Sequence, residues 1–227
     1  MNLLVSDYDG TFKSNLKNLE INITKVNEFM EKGNKFAIAT GREYESIKRE
    51  TNYYNIKYDY LICNNGSIIF DNNDNVTYSN PLSDEDLDYI RSSLEKETRF
   101  YNIKLYNFYS ETVNPKNILE VLAIFETSMS AKNFKKYLES VKNNIHCYRF
   151  DKYIFIGNYS TKATAINEIA SIENIKLKKI YTVGNDVNDI EMIEEFNGYK
   201  MLNSDKKLLF KKFPIVSEVH KLIDKIK

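Results

Sequence analysis

Short apolar segments, each followed at once by polar residues or glycine, recur along the chain and constrain its fold most strongly. They lie at residues 2–6 (NLLVS), 35–39 (KFAIA), 59–62 (DYLI) and 179–183 (KIYTV). Runs of this length suit buried strands. The segment 19–32 has apolar residues at roughly helical spacing and is followed by glycine, which commonly ends a helix. Strands that alternate with helices predict parallel βαβ units, and therefore a doubly wound α/β core.

The middle of the chain breaks this alternation and predicts an inserted domain. Two β-prone segments flank the turn sequence DNNDN at 71–75, which indicates a hairpin. An antiparallel α+β pattern, αββαββ, follows: a helix at 83–97, strands at 99–109 and 117–126, a helix at 130–142, and strands at 145–150 and 152–157. We therefore predict a discontinuous core of residues 1–80 and 158–227, with residues 81–157 as the insert.

Composition excludes several classes of function. Lys plus Arg and Asp plus Glu are balanced at 32 each among 227 residues, so no overall charge favours nucleic acid or a membrane surface. No segment reaches the roughly 20 apolar residues that cross a bilayer. Only two histidines occur, which disfavours histidine catalysis and zinc sites. With no signal-peptide pattern and two widely spaced cysteines, we expect a cytoplasmic protein. The sequence carries no feature that sets an oligomeric state.

Two aspartates directly follow the first predicted strand, in the sequence DYDGT at residues 7–11. Residues two apart in extended chain point the same way, so Asp7 and Asp9 can line one side of a cavity. Close carboxylates push one pKa up, which allows one to act as a nucleophile while the other donates and accepts protons. The alternative, in which these residues have no catalytic role, is an ordinary Asp-Gly turn after a strand.

Three more polar motifs follow other predicted strands or begin a helix. Thr40-Gly41-Arg42 offers a hydroxyl and main-chain amides that can hold phosphate oxygens. Lys162 begins a helix. Residues 184–189 (GNDVND) supply the oxygen ligands that Mg²⁺ prefers, although the same residues would also suit a helix N-cap. In open α/β sheets these ends of the strands are where ligands bind.

The four motifs and their order along the chain resemble those of the Cof-type (type IIB, C2-cap) phosphatases of the haloacid dehalogenase superfamily. Those proteins carry DxDGT, Thr-Gly-Arg, Lys and a Gly-Asp-x-x-Asn-Asp-type turn, in that order. The resemblance covers essentially the whole chain. It implies a Mg²⁺-dependent phosphatase in which Asp7 becomes an aspartyl-phosphate and Asp9 is the general acid and base. The implied phosphate-binding residues are Tyr8, Thr40, Gly41, Lys162 and Asn188, and the implied metal-binding residues are Asp7, Asp9, Asn185, Asp186 and Asp189.

Asn185 departs from that pattern because the family usually has Asp at this position. An amide oxygen can ligate Mg²⁺ but brings no charge, so we expect weaker Mg²⁺ binding than an aspartate would give. Ala163 is a milder departure, since Gly often follows the lysine. The substrate class implied is a small, sugar-phosphate-like metabolite. A phosphomutase of the same fold and a ligand-binding protein without turnover remain alternatives.

The predicted insert should choose the substrate. Alternation along 100–108 places Phe100, Asn102, Lys104, Tyr106 and Phe108 on one face, and Tyr101, Ile103 and Leu105 on the face that packs against helices. We expect Lys104 and Arg149, together with Arg42 of the core, to contact an anionic or polyhydroxyl substrate.

Overall fold

The structure is a computed structural model that describes residues 1–226, which form two compact units. The first unit contains Met1–Arg42, Ile47–Tyr78 and the chain from Thr161 onward; the second contains Glu43–Ser46 and Ser79–Ser160. The predicted boundaries at 80 and 158 lie close to Tyr78 and Thr161. The grouping of Glu43–Ser46 with the second unit was not predicted; there the Glu45 amide donates to the Tyr109 carbonyl.

The strands and helices are as follows. The strands are β1 (Leu3–Asp7), β2 (Lys35–Ala39), β3 (Tyr60–Cys63), β4 (Ile68–Asp71), β5 (Val76–Ser79), β6 (Phe100–Tyr106), β7 (Glu111–Thr112), β8 (Glu120–Phe125), β9 (Ile145–Phe150), β10 (Tyr153–Asn158), β11 (Ile180–Gly184), β12 (Asn197–Met201) and β13 (Ile215–Val216). The α-helices are α1 (Leu16–Glu31), α2 (Tyr44–Tyr53), α3 (Asp84–Glu95), α4 (Ser128–Val141), α5 (Lys162–Ile172), α6 (Ile190–Glu195), α7 (Lys206–Leu209) and α8 (Val219–Ile223). Short 3₁₀ turns lie at Asn64–Gly66, Leu177–Lys179 and Val187–Asp189.

An eight-stranded sheet in the order β13-β12-β11-β1-β2-β3-β4-β5 forms the first unit. The strands from β13 to β3 are parallel to their neighbours, and β4 is antiparallel to β3. Every residue of β1 is buried, as expected for a strand covered on both faces. The doubly wound α/β prediction is confirmed. Because β1 lies between β2 and β11, the order in which successive strands are added to the sheet reverses beside it, and a crevice forms at such a point.

The core of this unit forms where α5 and α6 pack on the sheet. Leu3 and Val5 of β1 are fully buried with Ile166 and Ile169 of α5 and Met192 of α6. Fully burying an aliphatic side chain of this kind stabilises the fold by about 1.5–3 kcal/mol. This packing fixes the carboxyl end of β1 relative to the start of α5.

The second unit is a five-stranded antiparallel sheet in the order β7-β6-β8-β10-β9. Helices α3 and α4 pack on one face through a cluster that includes Ile90, Phe134 and Ile154. The predicted αββαββ order is confirmed, with a two-residue strand, β7, added between the first pair.

One face assignment in β6 was wrong. The pairing with β8 shifts between Phe100 and Asn102, which indicates a β-bulge. An extra residue in one strand reverses the alternation of faces on its far side. Phe100 therefore packs against the helix-side cluster, and Tyr101 is exposed, whereas Ile103 and Leu105 pack toward the helices as predicted.

Candidate active site

The carboxyl end of β1 places Asp7 in a nearly closed environment. Asp7 is 7% exposed, and its Oδ1 accepts a hydrogen bond from Lys162 Nζ at 2.7 Å. The chain turns immediately after it: the Phe12 amide donates to the Asp7 carbonyl, and Gly10 adopts a φ of +78° that favours glycine. Asp7 and its neighbours therefore end the strand in a tight loop beside α5.

Lys162 is the most buried cation of the described chain and lies between two carboxylates. Thr161 caps α5 in a reciprocal capping box with Thr164, which sets the position of the first helical residue. The Lys162 Nζ lies 2.7 Å from Asp7 Oδ1 and 2.7 Å from Asp189 Oδ1, with no solvent exposure of the lysine side chain. Two acids therefore share one ammonium group, and the buried cluster carries excess negative charge.

The pKa values of this cluster follow from burial and from that imbalance. Burial raises the pKa of Asp7 well above its ordinary value, while the charge of Lys162 opposes the rise and that of Asp189 adds to it. Burial alone would lower the pKa of Lys162, but the two carboxylates raise it. Such perturbed groups cluster at functional sites.

Both carboxylate oxygens of Asp189 accept hydrogen bonds from other groups of the protein. Its Oδ2 accepts from the amides of Asn185 and Asp186 at 2.8 and 2.9 Å, and its Oδ1 accepts from Lys162. A Cβ on Gly184 would lie 2.3 Å from the Asp189 Cγ, so only glycine fits there. These contacts hold the turn 184–189 and place Asp189 beside Lys162, and the role of Asp189 as a metal ligand stays a prediction.

The donors that could hold a divalent cation lie between this turn and the loop after β1. One terminal atom of the Asn185 amide lies 3.0 Å from the Asp9 carbonyl oxygen and 3.1 Å from Asp7 Oδ2. Mg²⁺ in an octahedral site binds oxygens at about 2.0–2.1 Å, which puts adjacent oxygens about 2.9 Å apart. These spacings fit Mg²⁺.

The acids alone do not make a metal site. Within residues 1–226, no group of three His, Cys, Asp or Glu side chains is arranged to hold a metal ion. The candidate set instead combines the Asp7 carboxylate with one main-chain carbonyl and one amide. Asp186 is exposed, and its Oδ1 accepts from the Val187 amide at 2.6 Å.

Asp9 differs sharply from Asp7 although it is only two residues away. Its side chain is 53% exposed and forms a two-pronged ion pair with Arg42, whose Nε and Nη2 lie 2.8 and 2.6 Å from the carboxylate oxygens. The hydrogen bond to Asp9 raises the pKa of Arg42 further above its ordinary value. The predicted substrate contact Arg42 is thus engaged by Asp9 in this structure.

Glu50 of α2 organises the surroundings of this ion pair and was not predicted from the sequence. It accepts from the Tyr8 hydroxyl at 2.9 Å and from Lys13 Nζ at 2.5 Å, and lies 3.6 Å from Arg42 Nη1. The Tyr8 ring is fully buried, so the expectation that Tyr8 binds phosphate applies only to its main chain. Nothing in the helical pattern of 43–53 distinguishes Glu50 from a solvated residue.

Thr40 and Asn188 reach the site from two further loops. Thr40 follows β2, is buried, and its hydroxyl accepts from the Arg42 amide at 3.1 Å. The Asn188 amide nitrogen donates to Asn65 Oδ1 at 2.8 Å, so this donor is already engaged. Asn65 has a left-handed φ of +55° in the turn after β3, and only its place after a strand could have pointed to it.

These loops line a cavity of about 250 Å³ in the first unit. Its lining residues are Asp7, Asp9, Thr40, Gly41, Arg42, Asp186 and Asn188. Six of the seven were predicted as phosphate-, metal- or acid–base residues, and Arg42 was predicted as a substrate contact. Lys162, Asn185 and Asp189 lie behind this surface and contact it through Asp7 and the turn 184–189.

The two predicted substrate contacts of the second unit lie on opposite faces of its sheet. Arg149 pairs with Ile154, which pairs with Ala123, and both partners belong to the helix-side cluster. Directly paired residues share a face of the sheet. The Arg149 side chain therefore leaves its strand on the helix side, and the Lys104 side chain leaves on the opposite face. The expectation that both residues contact the substrate stays a prediction, but they leave the sheet on different faces. Lys104 contacts Glu111, and Arg149 contacts Ser128 and the Asp151 carbonyl.

Comparison with known proteins gives the family. The family model for haloacid dehalogenase-like hydrolases matches residues 4–111 and 91–212. The chain belongs to this family. A Buchnera aphidicola protein named "Putative phosphatase" is 24% identical over 221 residues, covering 84% of this chain and 80% of the relative.

Solved structures of haloacid dehalogenase-like proteins share the whole fold. A haloacid dehalogenase-like hydrolase from Bacteroides thetaiotaomicron has a TM-score of 0.81 at 16% identity and covers 100% of this chain and 99% of that one. A subclass IIB sugar phosphatase has a TM-score of 0.78 at 18% identity, covering 99% and 98%. The chain thus has the fold of the Cof-type, IIB subclass, as the sequence predicted.

Membership of the haloacid dehalogenase-like family implies a divalent metal. It agrees with the donor spacing at Asp7, Asp9 and Asn185. No helix within residues 1–226 is long and apolar enough to cross a membrane.

Proposed function

We propose that this protein is a Mg²⁺-dependent phosphatase that hydrolyses a small, sugar-phosphate-like metabolite through an aspartyl-phosphate. The observation that carries the proposal is the contrast between Asp7 and Asp9 at one cavity. Asp7 is buried with one oxygen on Lys162, and Asp9 is half exposed two residues later. One carboxylate is fixed for attack, and the other can move to exchange a proton. The names of the Buchnera relative and of the IIB sugar phosphatase agree with this activity.

Asp7 and Asp9 divide the chemistry. An oxygen of Asp7 attacks phosphorus and forms an acyl phosphate, while the ester oxygen leaves as an alcohol that takes its proton from Asp9. Asp9 then removes a proton from water, which attacks the same phosphorus and releases inorganic phosphate and free Asp7. A general acid of this kind contributes roughly 10²–10⁴ in rate.

The surrounding residues position the phosphoryl group and neutralise its charge. Thr40 and the main chain of Gly41 line the same cavity as Asp7 and can donate to phosphoryl oxygens. Lys162 stabilises charge next to Asp7. Mg²⁺ would be held by Asp7, the Asp9 carbonyl and Asn185, with Asp186 near enough to the cavity to add a carboxylate, and would supply a Lewis acid for the phosphoryl oxygens.

Arg42 must release Asp9 before Asp9 can transfer a proton. Its guanidinium occupies both carboxylate oxygens of Asp9, and it lines the same cavity as the catalytic acids. A phosphate ester would offer the guanidinium an alternative two-pronged partner. This exchange keeps the predicted role of Arg42 as a substrate contact and connects it to the acid–base step.

The substrate is a small phosphate ester in this proposal. A cavity of about 250 Å³ holds a phosphoryl group and a few further atoms, but not a macromolecule. On the helix-free face of the second unit, Lys104 is the basic residue paired in register with Leu122. We expect Lys104→Ala to change relative rates within a sugar-phosphate panel; equal rates across the panel would remove Lys104 from substrate selection.

The testing experiment measures phosphate release from p-nitrophenyl phosphate and from a panel of sugar phosphates, with Mg²⁺ or with EDTA. Wild type, Asp7→Asn and the matched surface variant Asp88→Asn are compared. We expect Mg²⁺-dependent turnover in wild type and Asp88→Asn, and none in Asp7→Asn. Transfer of phosphate to a second sugar hydroxyl, without net release, would indicate the phosphomutase alternative. Binding without turnover would indicate the non-catalytic alternative.

A further inference from the structure

One terminal atom of the Asn185 side-chain amide faces oxygen acceptors, and the other faces hydrogen-bond donors. The terminal atom that faces the site lies 2.8 Å from Thr11 Oγ1, 3.0 Å from the Asp9 carbonyl oxygen and 3.1 Å from Asp7 Oδ2. The carbonyl and the ionised carboxylate only accept hydrogen bonds. The Thr11 hydroxyl can donate or accept, and it also forms a hydrogen bond that lowers the pKa of Asp7.

Whether that facing atom is the amide oxygen or the amide nitrogen determines which hydrogen bonds the site can form. If it is the amide oxygen, Thr11 can donate to it, but the Asp9 and Asp7 oxygens then face a third oxygen with no proton between them. If it is the amide nitrogen, its two protons match those two acceptors, and Thr11 remains free to donate to Asp7. Without a cation the nitrogen orientation is favoured, since buried acceptors without donors are costly.

A bound cation reverses this preference. The amide atom lies about 3 Å from each of the other two oxygens, the spacing of adjacent ligands in an octahedral Mg²⁺ site, and an amide nitrogen carrying protons is no ligand for Mg²⁺. A half-turn of the amide exchanges nitrogen for oxygen with little displacement of any heavy atom.

The structure is built closely around this amide. A Cβ on Gly10 would lie 2.6 Å from the second terminal atom of the Asn185 amide, so glycine at this position makes room for the side chain. The Asn185 main chain is held as well, because its carbonyl accepts from Asp205 and its amide donates to Asp189. Rotation of the terminal amide group is therefore the motion that this packing leaves to the side chain.

We propose, on the basis of the proposed function, that the side-chain amide of Asn185 has two orientations. One orientation partly compensates the negative charge of the metal-free site, and the other ligates the metal. In the absence of Mg²⁺ its amide NH₂ donates to the Asp9 carbonyl and Asp7 Oδ2 and stands in for part of the cation's charge. When Mg²⁺ binds, the amide turns over and presents its oxygen. An aspartate at this position would instead place a second carboxylate about 3 Å from Asp7 and leave the metal-free site unbalanced.

The experiment follows the side-chain amide directly by ¹⁵N–¹H NMR. The Asn185 NH₂ signals are assigned by their loss in Asn185→Asp, with Asn52→Asp, at an exposed helical position, as the matched control. In EDTA we expect the NH₂ protons to exchange slowly with water. Mg²⁺ titration should shift both signals and increase their exchange at least about tenfold, as the two hydrogen bonds to buried acceptors are broken.

A second measurement uses thermal unfolding and calorimetric Mg²⁺ binding. Asn185→Asp should unfold at a lower temperature than wild type in EDTA, bind Mg²⁺ roughly tenfold tighter, and gain more thermal stability from Mg²⁺. Asn52→Asp should match wild type in all three.

Unchanged NH₂ signals while Mg²⁺ binds, absence of Mg²⁺ binding, or equal metal-free unfolding temperatures of Asn185→Asp and wild type would each overturn the inference. Its failure is distinguishable from failure of the proposed function. Turnover without the NH₂ response removes the switch alone, whereas an NH₂ response without release of phosphate from any ester removes the phosphatase and leaves the switch.

Discussion

Each unit of the molecule contains a lysine bound by aspartate, and the two clusters balance their charges differently. In the first unit, Lys162 is shared by Asp7 and Asp189, each 2.7 Å away. In the second unit, Lys142 lies 2.8 Å from Asp86 Oδ1, while Asp86 Oδ2 accepts from Ser83 at 2.9 Å and Asn144 at 2.7 Å. In the first cluster two buried acids share one ammonium group, whereas in the second Glu85 lies 3.6 Å from Lys142 but is 89% exposed, and both oxygens of the buried Asp86 accept hydrogen bonds.

The pKa values move in opposite directions as a consequence. Burial raises the pKa of Asp7, and Lys162 reverses this only in part. Burial would also raise the pKa of Asp86, but its hydrogen bonds with Lys142, Ser83 and Asn144 outweigh it and lower the pKa. The ionised form of Asp86 thus stabilises the folded state, whereas the ionised form of Asp7 destabilises it. A bound cation, phosphorylation of Asp7 or its protonation would remove that destabilisation. The same two residue types, lysine and aspartate, thus form a stabilising cluster in the second unit and, in the first, the cluster that we propose is reactive.

The largest expected effect comes from removing the shared lysine. Lys162→Met should lower the free energy of unfolding by about 3–5 kcal/mol, because it leaves Asp7 and Asp189 buried without a cation. Urea unfolding in EDTA at neutral pH measures the loss. The exposed-site control Lys17→Met should stay within about 0.5 kcal/mol of wild type. A loss below about 1 kcal/mol for Lys162→Met would mean that the acids are neutralised by something other than Lys162.

A smaller, pH-dependent effect is expected in the second unit. Asp86→Asn should lower the free energy of unfolding by about 1–3 kcal/mol at pH 7, since it removes the charge from three hydrogen bonds. The folded-state pKa of Asp86 lies below its unfolded value, so its stabilising contribution is complete above the unfolded pKa and is lost as the pH falls through the folded one.

The difference between wild type and Asp86→Asn should therefore be constant from pH 7 to about pH 5 and should shrink below about pH 4. Asp88→Asn, on the exposed side of the same helix, is the matched control. A difference that persists undiminished at the lowest pH would show that Asp86 acts through packing and not through its charge.

The sequence predicted the core best where local pattern and tertiary packing agree. The buried runs at 2–6 and 179–183 became β1 and β11, and the alternation with helices was enough to place their carboxyl ends at one edge. The cavity-lining residues Asp7, Asp9, Thr40 and Gly41 were predicted to lie together for the same reason, since each is at or directly after the end of a strand. Long-range pairing decided the rest.

Three features could not be read from local pattern. The bulge that turns Phe100 toward the helices depends on how β6 pairs with β8. The face of Arg149 depends on its register with Ile154. The engagement of Arg42 by Asp9, across 33 residues of chain, is a contact between two loops whose spacing only the sheet sets. In each case the deciding partner lies on another strand or loop.

The smallest expected effect has the opposite sign and sharpens the comparison most. Asp7→Asn leaves Lys162 with Asp189 alone, a neutral buried pair, so we expect the metal-free free energy of unfolding to stay equal or to rise by about 0.5–1 kcal/mol. The same urea measurement in EDTA checks it beside Asp86→Asn, which substitutes the same residue type in the Lys142 cluster. If Asp7→Asn is destabilised as much as Asp86→Asn, Asp7 is a structural acid like Asp86. If it is not, the fold keeps a carboxylate that it does not need for stability, as the proposed nucleophile at the end of β1 requires.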